Sequence, residues 1–466
     1  MCFYKYTAFF FVFILAALLL IGCGGGSTQT ATVNTSLSDP STCSSPQGPY
    51  RHIYVTVTDV QISQSANAGN GNSGWVDLTP ALKNNPVQVD LLGVANQCFL
   101  ATLGSTAIPA GNYQQLRVIL AKDGLAITNN KCGNAANCVM LTTDPLNTPI
   151  PLQLSSETNT GIKIPSGQIA GGQFTVKGGD TKDFNVDFNA CASMLVQGNG
   201  QYRLKPVVHA GEVDVQSTAT SISGIVVDAV TGQALVGGTA VIALEQKDGG
   251  GVDRVIMETV ATSNGGFSFC PVSPGSYDVV VAAINGNGVV YAATVITGVQ
   301  PGNSLGKIPV SAVGTPASIT GQVTTTNGSA TAADLQLSAL QSITVNNTNV
   351  LITTPLAQQS AAAASLPTLP GSCPPNAECA NYTLVVPAAS PSVGTFVAAP
   401  SQTPAAPIPG NVNYTIDAAA FVPGSAGQTD CNPSELQTAQ TNTNAPLIVT
   451  SGTSVTAHTV AFTGCQ

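Results

Sequence analysis

Phe184-Asn185-Val186-Asp187-Phe188 puts two phenylalanines and a valine on one side of an extended chain and an amide and a carboxylate on the other. Side chains of a strand alternate between faces, so this stretch reads as a strand with one buried face. The period recurs outward from it. Ile53-Tyr54-Val55-Thr56-Val57 and Val87-Gln88-Val89-Asp90-Leu91 alternate in the same way. Between such runs stand Gly, Asn and Pro, and no sustained 3.6-residue apolar period with caps occurs after the N-terminal segment. Several short strands at close spacing predict an all-β chain of β-sandwich domains in series.

Composition narrows the function classes. The 466 residues hold 14 Lys+Arg and 23 Asp+Glu, a net charge of −9, and only 8% of the chain is charged. Ordinary domains carry about a quarter, so Ser, Thr, Asn and Gln must keep this surface wet. Binding nucleic acid needs clustered Lys and Arg, which argues against that partner. No Lys or Arg follows Lys307.

Residues 1–22 read as a targeting segment. Lys5 precedes the apolar run Thr7 to Ile21, which is shorter than the roughly 20 residues a spanning helix needs. The run ends in Leu20-Ile21-Gly22-Cys23, which resembles a bacterial lipobox, with cleavage expected between Gly22 and Cys23 and lipid on the Cys23 thiol. Gly24 follows, and by the same resemblance a residue other than Asp there directs the protein to the outer membrane; the periplasmic face and the cell surface both stay open. Residues 23–42, rich in Gly, Ser and Thr, read as a flexible tether.

Of the 12 Cys, Cys2 leaves with the signal and Cys23 is taken by lipid. The even remainder in an oxidising compartment favours disulfides. Cys132–Cys138 and Cys373–Cys379 each bracket a short loop of turn-forming residues and are the easiest closures. Cys431 and Cys465 share the terminal region. Cys98 and Cys270 have no assigned partner. No C-x-x-C occurs and His52, His209 and His458 lie far from any Cys cluster, so zinc is not expected; no other cofactor is implied.

Three domains are expected. Residues 43–215 carry His52-Ile53-Tyr54-Val55-Thr56-Val57, Trp75-Val76, Val89-Asp90-Leu91-Leu92 and Ile108-Pro109-Ala110-Gly111-Asn112-Tyr113-Gln114-Gln115-Leu116-Arg117. Gly161-Ile162-Lys163-Ile164, Asp187-Phe188-Asn189-Ala190-Cys191 and Leu204-Lys205-Pro206-Val207 follow. In order and spacing these resemble the bacterial lipoprotein domain of unknown function 4382 (DUF4382). The chain departs from that pattern at Asn189, where the family usually has Asp, and at the added Cys98, Cys132 and Cys138. The resemblance implies a Cys43–Cys191 disulfide and no activity.

Residues 218–314 carry Ile222-Ser223-Gly224-Ile225-Val226-Val227-Asp228, Thr231-Gly232-Gln233-Ala234-Leu235, Asn264-Gly265-Gly266-Phe267-Ser268-Phe269 and Pro274-Gly275-Ser276-Tyr277-Asp278-Val279. This resembles a carboxypeptidase regulatory-like domain, a transthyretin-type sandwich that does no chemistry of its own. The fold class expected is therefore immunoglobulin/transthyretin-like. In residues 315–466, Ser318-Ile319-Thr320-Gly321-Gln322-Val323 echoes Ser221-Ile222-Ser223-Gly224-Ile225-Val226, which predicts a diverged third sandwich. Residues 351–410 hold 11 of the 30 Pro and read as loop or stalk, since Pro cannot serve a central strand; within them Tyr382-Thr383-Leu384-Val385-Val386 has the pattern of a strand.

Three motifs tempt a catalytic or metal reading. Gly302-Asn303-Ser304-Leu305-Gly306 fits G-x-S-x-G, but that elbow needs a helix after the serine, and Lys307-Ile308-Pro309-Val310 does not start one. Asp180, Asp183 and Asp187 are the densest carboxylates and a weak calcium candidate, against the plainer reading of a solvated strand face. His52 is the most enzyme-like single residue, although a lone strand His usually serves structure. Taken together, the sequence predicts a lipid-anchored cell-envelope protein with a non-catalytic structural, adhesive or ligand-binding role. Its expected partners are the membrane, through the anchor, and a surface protein or glycan. A lipoprotein that binds a glycan or small molecule is the alternative, and an enzyme ranks third.

Overall fold

The computed structural model describes residues 29–38, 50–66, 68–69, 71, 73–92, 101–154, 158, 160–188, 190–196, 201–204, 208–213, 221–270, 272, 274–326, 334–345, 347–356, 377–421, 431, 433 and 435–463. Among these residues the regular structure is almost entirely strand, with short 3-10 turns and one four-residue helix, Ala190–Ser193. The all-β sandwich architecture expected from the alternating runs is the architecture found.

The first unit closes two sheets over one core. A four-stranded sheet runs in the order Val208–Val213, Thr181–Phe188, Thr30–Ser38, Ala101–Pro109. The facing sheet is built on the long Tyr50–Ser63 strand, which pairs with Gln115–Leu120, Cys138–Leu141, Val87–Asp90 and Trp75–Asp77. Val33, Leu37, Phe184, Val186 and Phe188 from one sheet meet Ile53, Val55, Val57, Leu116 and Val118 from the other. The stretch that opened the reading therefore lies where its alternation placed it.

The stretch read as a tether is different. Residues 30–38 form a strand in the middle of the four-stranded sheet, parallel to Thr181–Phe188 and antiparallel to Ala101–Pro109. Ala31, Val33 and Leu37 are buried in the core. Their polar alternates are not waste: Asn34 Nδ2 donates to Asp183 Oδ1 at 2.7 Å, Ser36 Oγ to Asn185 Oδ1 at 3.0 Å and Ser38 Oγ to Asp187 Oδ1 at 3.1 Å. Thr and Asn suit a solvated linker equally well, so composition concealed a strand with only three apolar members, Ala31, Val33 and Leu37.

Beyond the first unit the sheets cross the division expected at 314/315. A three-stranded sheet, Gly266–Phe269, Ile222–Asp228 and Ser304–Val310, faces a ten-stranded one. The larger sheet passes from Tyr277–Ile284 through Thr239–Lys247 and Val252–Val260 into Thr348–Thr354, Asp334–Val345 and Thr415–Phe421. Val252 pairs with Leu351 and Asp253 with Ile352 where Val252–Val260 meets Thr348–Thr354. The strand Ala317–Thr326 pairs instead with Ala377–Val386 and covers a separate core around Ile319, Tyr382, Leu384 and Phe462.

The proline-rich stretch is partly structural as well. Ala377–Val386 is a strand that takes in the run from Tyr382, and Ser392–Thr395 pairs with Val290–Val299 as an added edge. Residues 396–402 then lie along the second core. Lys307 N–H donates to Pro400 O at 2.8 Å, and Gln402 Nε2 donates to Leu305 O at 2.7 Å. Proline serves there because an edge needs no donor on its outer side.

Candidate functional site

Behind the core, the Tyr50–Ser63 strand presents Asp59, Gln61 and Ser63 on its second face, all buried. Gln115 and Arg117 on the neighbouring strand join them, and Arg117 is among the largest fully buried side chains. A charge in this position needs partners. Arg117 Nε donates to Gln61 Oε1 at 2.7 Å, Gln61 Nε2 donates to Asp59 Oδ2 at 2.6 Å, and the guanidinium lies 4.3 Å from the centre of the Trp75 ring. Lys83 reaches Asp59 at 3.2 Å and also Asp77. Burial pushes Asp59 up to about 7, helped by its hydrogen bond to Asp77. Asp77, also desolvated, is nonetheless held below the usual range by the hydrogen bonds from Asp59, Lys83 and the Thr79 N–H. The network also fastens Ala68 and Gly69: Trp75 Nε1 donates to Gly69 O and Ala68 N–H to Gln115 Oε1. Arg117 entered the sequence reading only as part of a family pattern; a cation inside the apolar run Leu116 to Leu120 was the available signal.

A cleft of about 470 Å³ is lined by Gln173, Thr175, Lys177, Asp180, Lys182 and Glu212 among others. Gln246 of the second unit also borders it. Lys182 Nζ pairs with Glu212 at 2.6 Å, while Asp180 accepts the Lys177 N–H at 2.9 Å. With amides, hydroxyls and both charge signs, the wall can hydrogen-bond a polar ligand.

The three aspartates offered for calcium do not converge. Asp180 closes its own turn, Asp183 meets Asn34, and Asp187 accepts from Ser38 Oγ and from the Glu258 N–H at 3.2 Å. Asp183 and Asp187 lie on the Thr181–Phe188 strand and Asp180 in the turn before it, and each faces a different donor. Asp187 is buried rather than solvated, and desolvation raises it well above the usual carboxylate range. Among the described residues no group of three or more His, Cys, Asp or Glu could hold a metal ion.

His52 Nδ1 lies 2.7 Å from Asp90 Oδ2 and its ring stacks on Tyr54. Ser304 opens the Ser304–Val310 strand instead of preceding a helix. Cys132 and Cys138 are joined, with their Cα atoms 5.5 Å apart. Cys270, Cys379 and Cys431 are also disulfide-bonded. Gly22, Cys23, Cys43, Cys98, Cys373 and Cys465 lie outside the described residues, as does the side chain of Cys191.

The strands, the Arg117–Trp75 network and the run of paired positions define a unit that compares directly with known families. Residues 30–206 match DUF4382, a domain of unknown function. The DUF4382 match begins at residue 30, so it takes in the strand that had read as tether. No curated protein matches the sequence. Solved structures with some likeness include the Bacillus anthracis TIE protein, at 11% identity and a TM-score of 0.16, over 93% of this chain and 50% of that one. The chain thus spans about half the length of that protein. The shaft pilin SpaA of Lactobacillus rhamnosus GG gives 10% identity and 0.16, over 61% and 97%. A DUF3823 family protein of Bacteroides uniformis gives 10% and 0.16, over 50% and 99%. At these values the likeness bears on neither the fold nor the role of the chain.

Proposed function

We propose that the chain is a lipid-anchored protein of the bacterial cell envelope, held in the outer membrane, with a non-catalytic structural, adhesive or ligand-binding role. The observation that carries this reading is the apolar run ending in Leu20-Ile21-Gly22-Cys23. Disulfides support it, since bonds such as Cys132–Cys138 persist in oxidising compartments outside the cytoplasm. Residues 218–314 fit the carboxypeptidase regulatory-like reading in having two sheets over one core, with Ile222, Phe269, Val279 and Ile308 at its centre. Intact-mass analysis of the membrane-extracted protein tests the anchor: the mature chain begins at a diacylated Cys23, and a retained Met1 or a bare Cys23 refutes it. Shaving whole cells with a broad-specificity protease then separates the exterior from the periplasm. Trypsin is the wrong reagent, because its sites end at Lys307.

The cleft at Lys177, Asp180 and Lys182 favours a second reading, capture of a glycan or other polar small molecule. A thermal-shift screen of oligosaccharides tests it: a ligand should raise the midpoint of the native chain and not that of Lys182→Ala. Equal shifts in both would place binding elsewhere.

A further inference from the structure

The geometry points to a membrane-seated end of the DUF4382 unit, with the phospholipid headgroup layer as its partner surface. The inference rests on the anchor reading and adds an orientation to it. With residues 30–38 inside a sheet, only Gly24 to Gln29 separate Cys23 from the first strand. Six residues reach at most about 20 Å when fully extended. The strand cannot peel away to lengthen this link without splitting the sheet, because Thr181–Phe188 and Ala101–Pro109 are joined only through it.

Contacts identify what lies at that end. The Ala110 N–H donates to Gln29 O at 2.8 Å, and the Gly179 N–H to Thr30 O at 2.8 Å. Gly111, next along, packs against the Gln64 side chain. Gln64 follows Ser63, which is paired with Trp75. The tether exit, the 177–180 turn with exposed Lys177, and the sole Trp of the chain therefore share one end of the unit. Exposed Lys177 suits a headgroup layer, with an apolar stem and a charged tip, and Trp75, held by Gly69 and Arg117, marks the position of this end. The opposite end is far off. The Tyr50–Ser63 strand has 14 residues, about 45 Å at a strand's rise, and its Tyr50 end pairs with Leu141, beside the hairpin that carries exposed Leu146.

Energy transfer from tryptophan to dansyl-phosphatidylethanolamine tests the orientation, using the full lipidated protein in vesicles of phosphatidylethanolamine and phosphatidylglycerol. Trp75 should transfer strongly. Moving the donor with Trp75→Phe and Leu146→Trp should abolish most of the signal. A Gly/Ser spacer inserted between Gly26 and Ser27, ahead of every strand among the described residues, should weaken transfer from Trp75 without touching the described fold. Mass analysis of the same samples keeps the two ideas apart. A lipidated protein whose Trp75 transfers no better than a donor at 146, or whose transfer ignores the spacer, overturns the seating and leaves the anchor standing. A Cys23 without lipid overturns both.

Discussion

Arg254 gathers three carboxylates: Asp248 at 3.0 Å, Asp417 at 2.6 Å and Glu435 at 2.6 Å. It is almost fully buried, and it ties the Val252–Val260 strand to the Thr415–Phe421 and Glu435–Thr438 strands. Removing one partner of a buried cluster leaves the others charged and unpaired, at a cost of about 3–5 kcal/mol. Arg254→Ala should lower urea stability by that order, and Arg254→Lys should recover little, because Nε, Nη1 and Nη2 each meet a different carboxylate and a single ammonium nitrogen cannot stand in all three places. Gly306 illustrates a different constraint. Its φ is +61°, and a Cβ there would run into the Pro400 carbonyl. Gly306→Ala should therefore release residues 396–402, read as faster amide exchange at Lys307, while Ser304→Ala should leave it unchanged. The partners of neither site were legible beforehand: the sequence shows one Arg beside the apolar run Val255-Ile256-Met257 and one Gly among many, and only the fold brings Asp417 or Pro400 to them.

At the scale of elements, the decisive segment is residues 30–38. Leu37 is 1% exposed and Val33 is fully buried, so shortening them opens a cavity in the first core. Leu37→Ala should cost about 2–5 kcal/mol, measured as a lower denaturation midpoint of the DUF4382 unit. A tether would accept the same change with no shift. Strong alternation made the Thr181–Phe188 and Tyr50–Ser63 strands readable, because Phe, Val and Ile mark a buried face plainly. In Ala31-Thr32-Val33-Asn34-Thr35-Ser36-Leu37-Ser38 only Ala31, Val33 and Leu37 are apolar, and Asn34, Ser36 and Ser38 find their partners on Thr181–Phe188 and Ala101–Pro109, far along the chain. The residues beyond Pro387 escaped for a related reason. Proline excludes a central strand, but it says nothing against an edge or a clasp.

At the scale of the molecule, acids buried at the seams set the response to pH. Burial pushes Asp253 up to about 7, with Asp278 beside it adding to the shift; Glu435 rises to about 7 through burial and the charge of Asp417. Glu245, fully buried and facing Asp253, is raised well above its usual range. Each binds its proton more tightly folded than unfolded, so it contributes stability that is lost as pH rises from the ordinary carboxylate range through about 7. His209 works the other way: burial, then the charge of Arg254, lowers it to about 4, and its contribution is lost as pH falls from about 6.5 toward that value. The raised carboxyls outnumber the single His, so the melting temperature should be higher at about pH 5 than at about pH 8. Asp253→Asn should flatten that slope and His209→Gln should steepen it; a midpoint that rises with pH would contradict the assignment.

By itself the sequence determined the all-β class, the absence of any clustered positive charge for nucleic acid, the alternating core strands and the residues that match DUF4382. Those are properties of local pattern and composition, which each stretch of chain carries with it. Only the tertiary structure decided that residues 30–38 belong to the core, that one sheet runs through Val252 and Leu351 from the second region into the third, and that Arg117 and Arg254 are buried charges with partners. Such facts depend on contacts between residues far apart in the chain. A polar side chain reads as solvated until its donor or acceptor arrives from another strand.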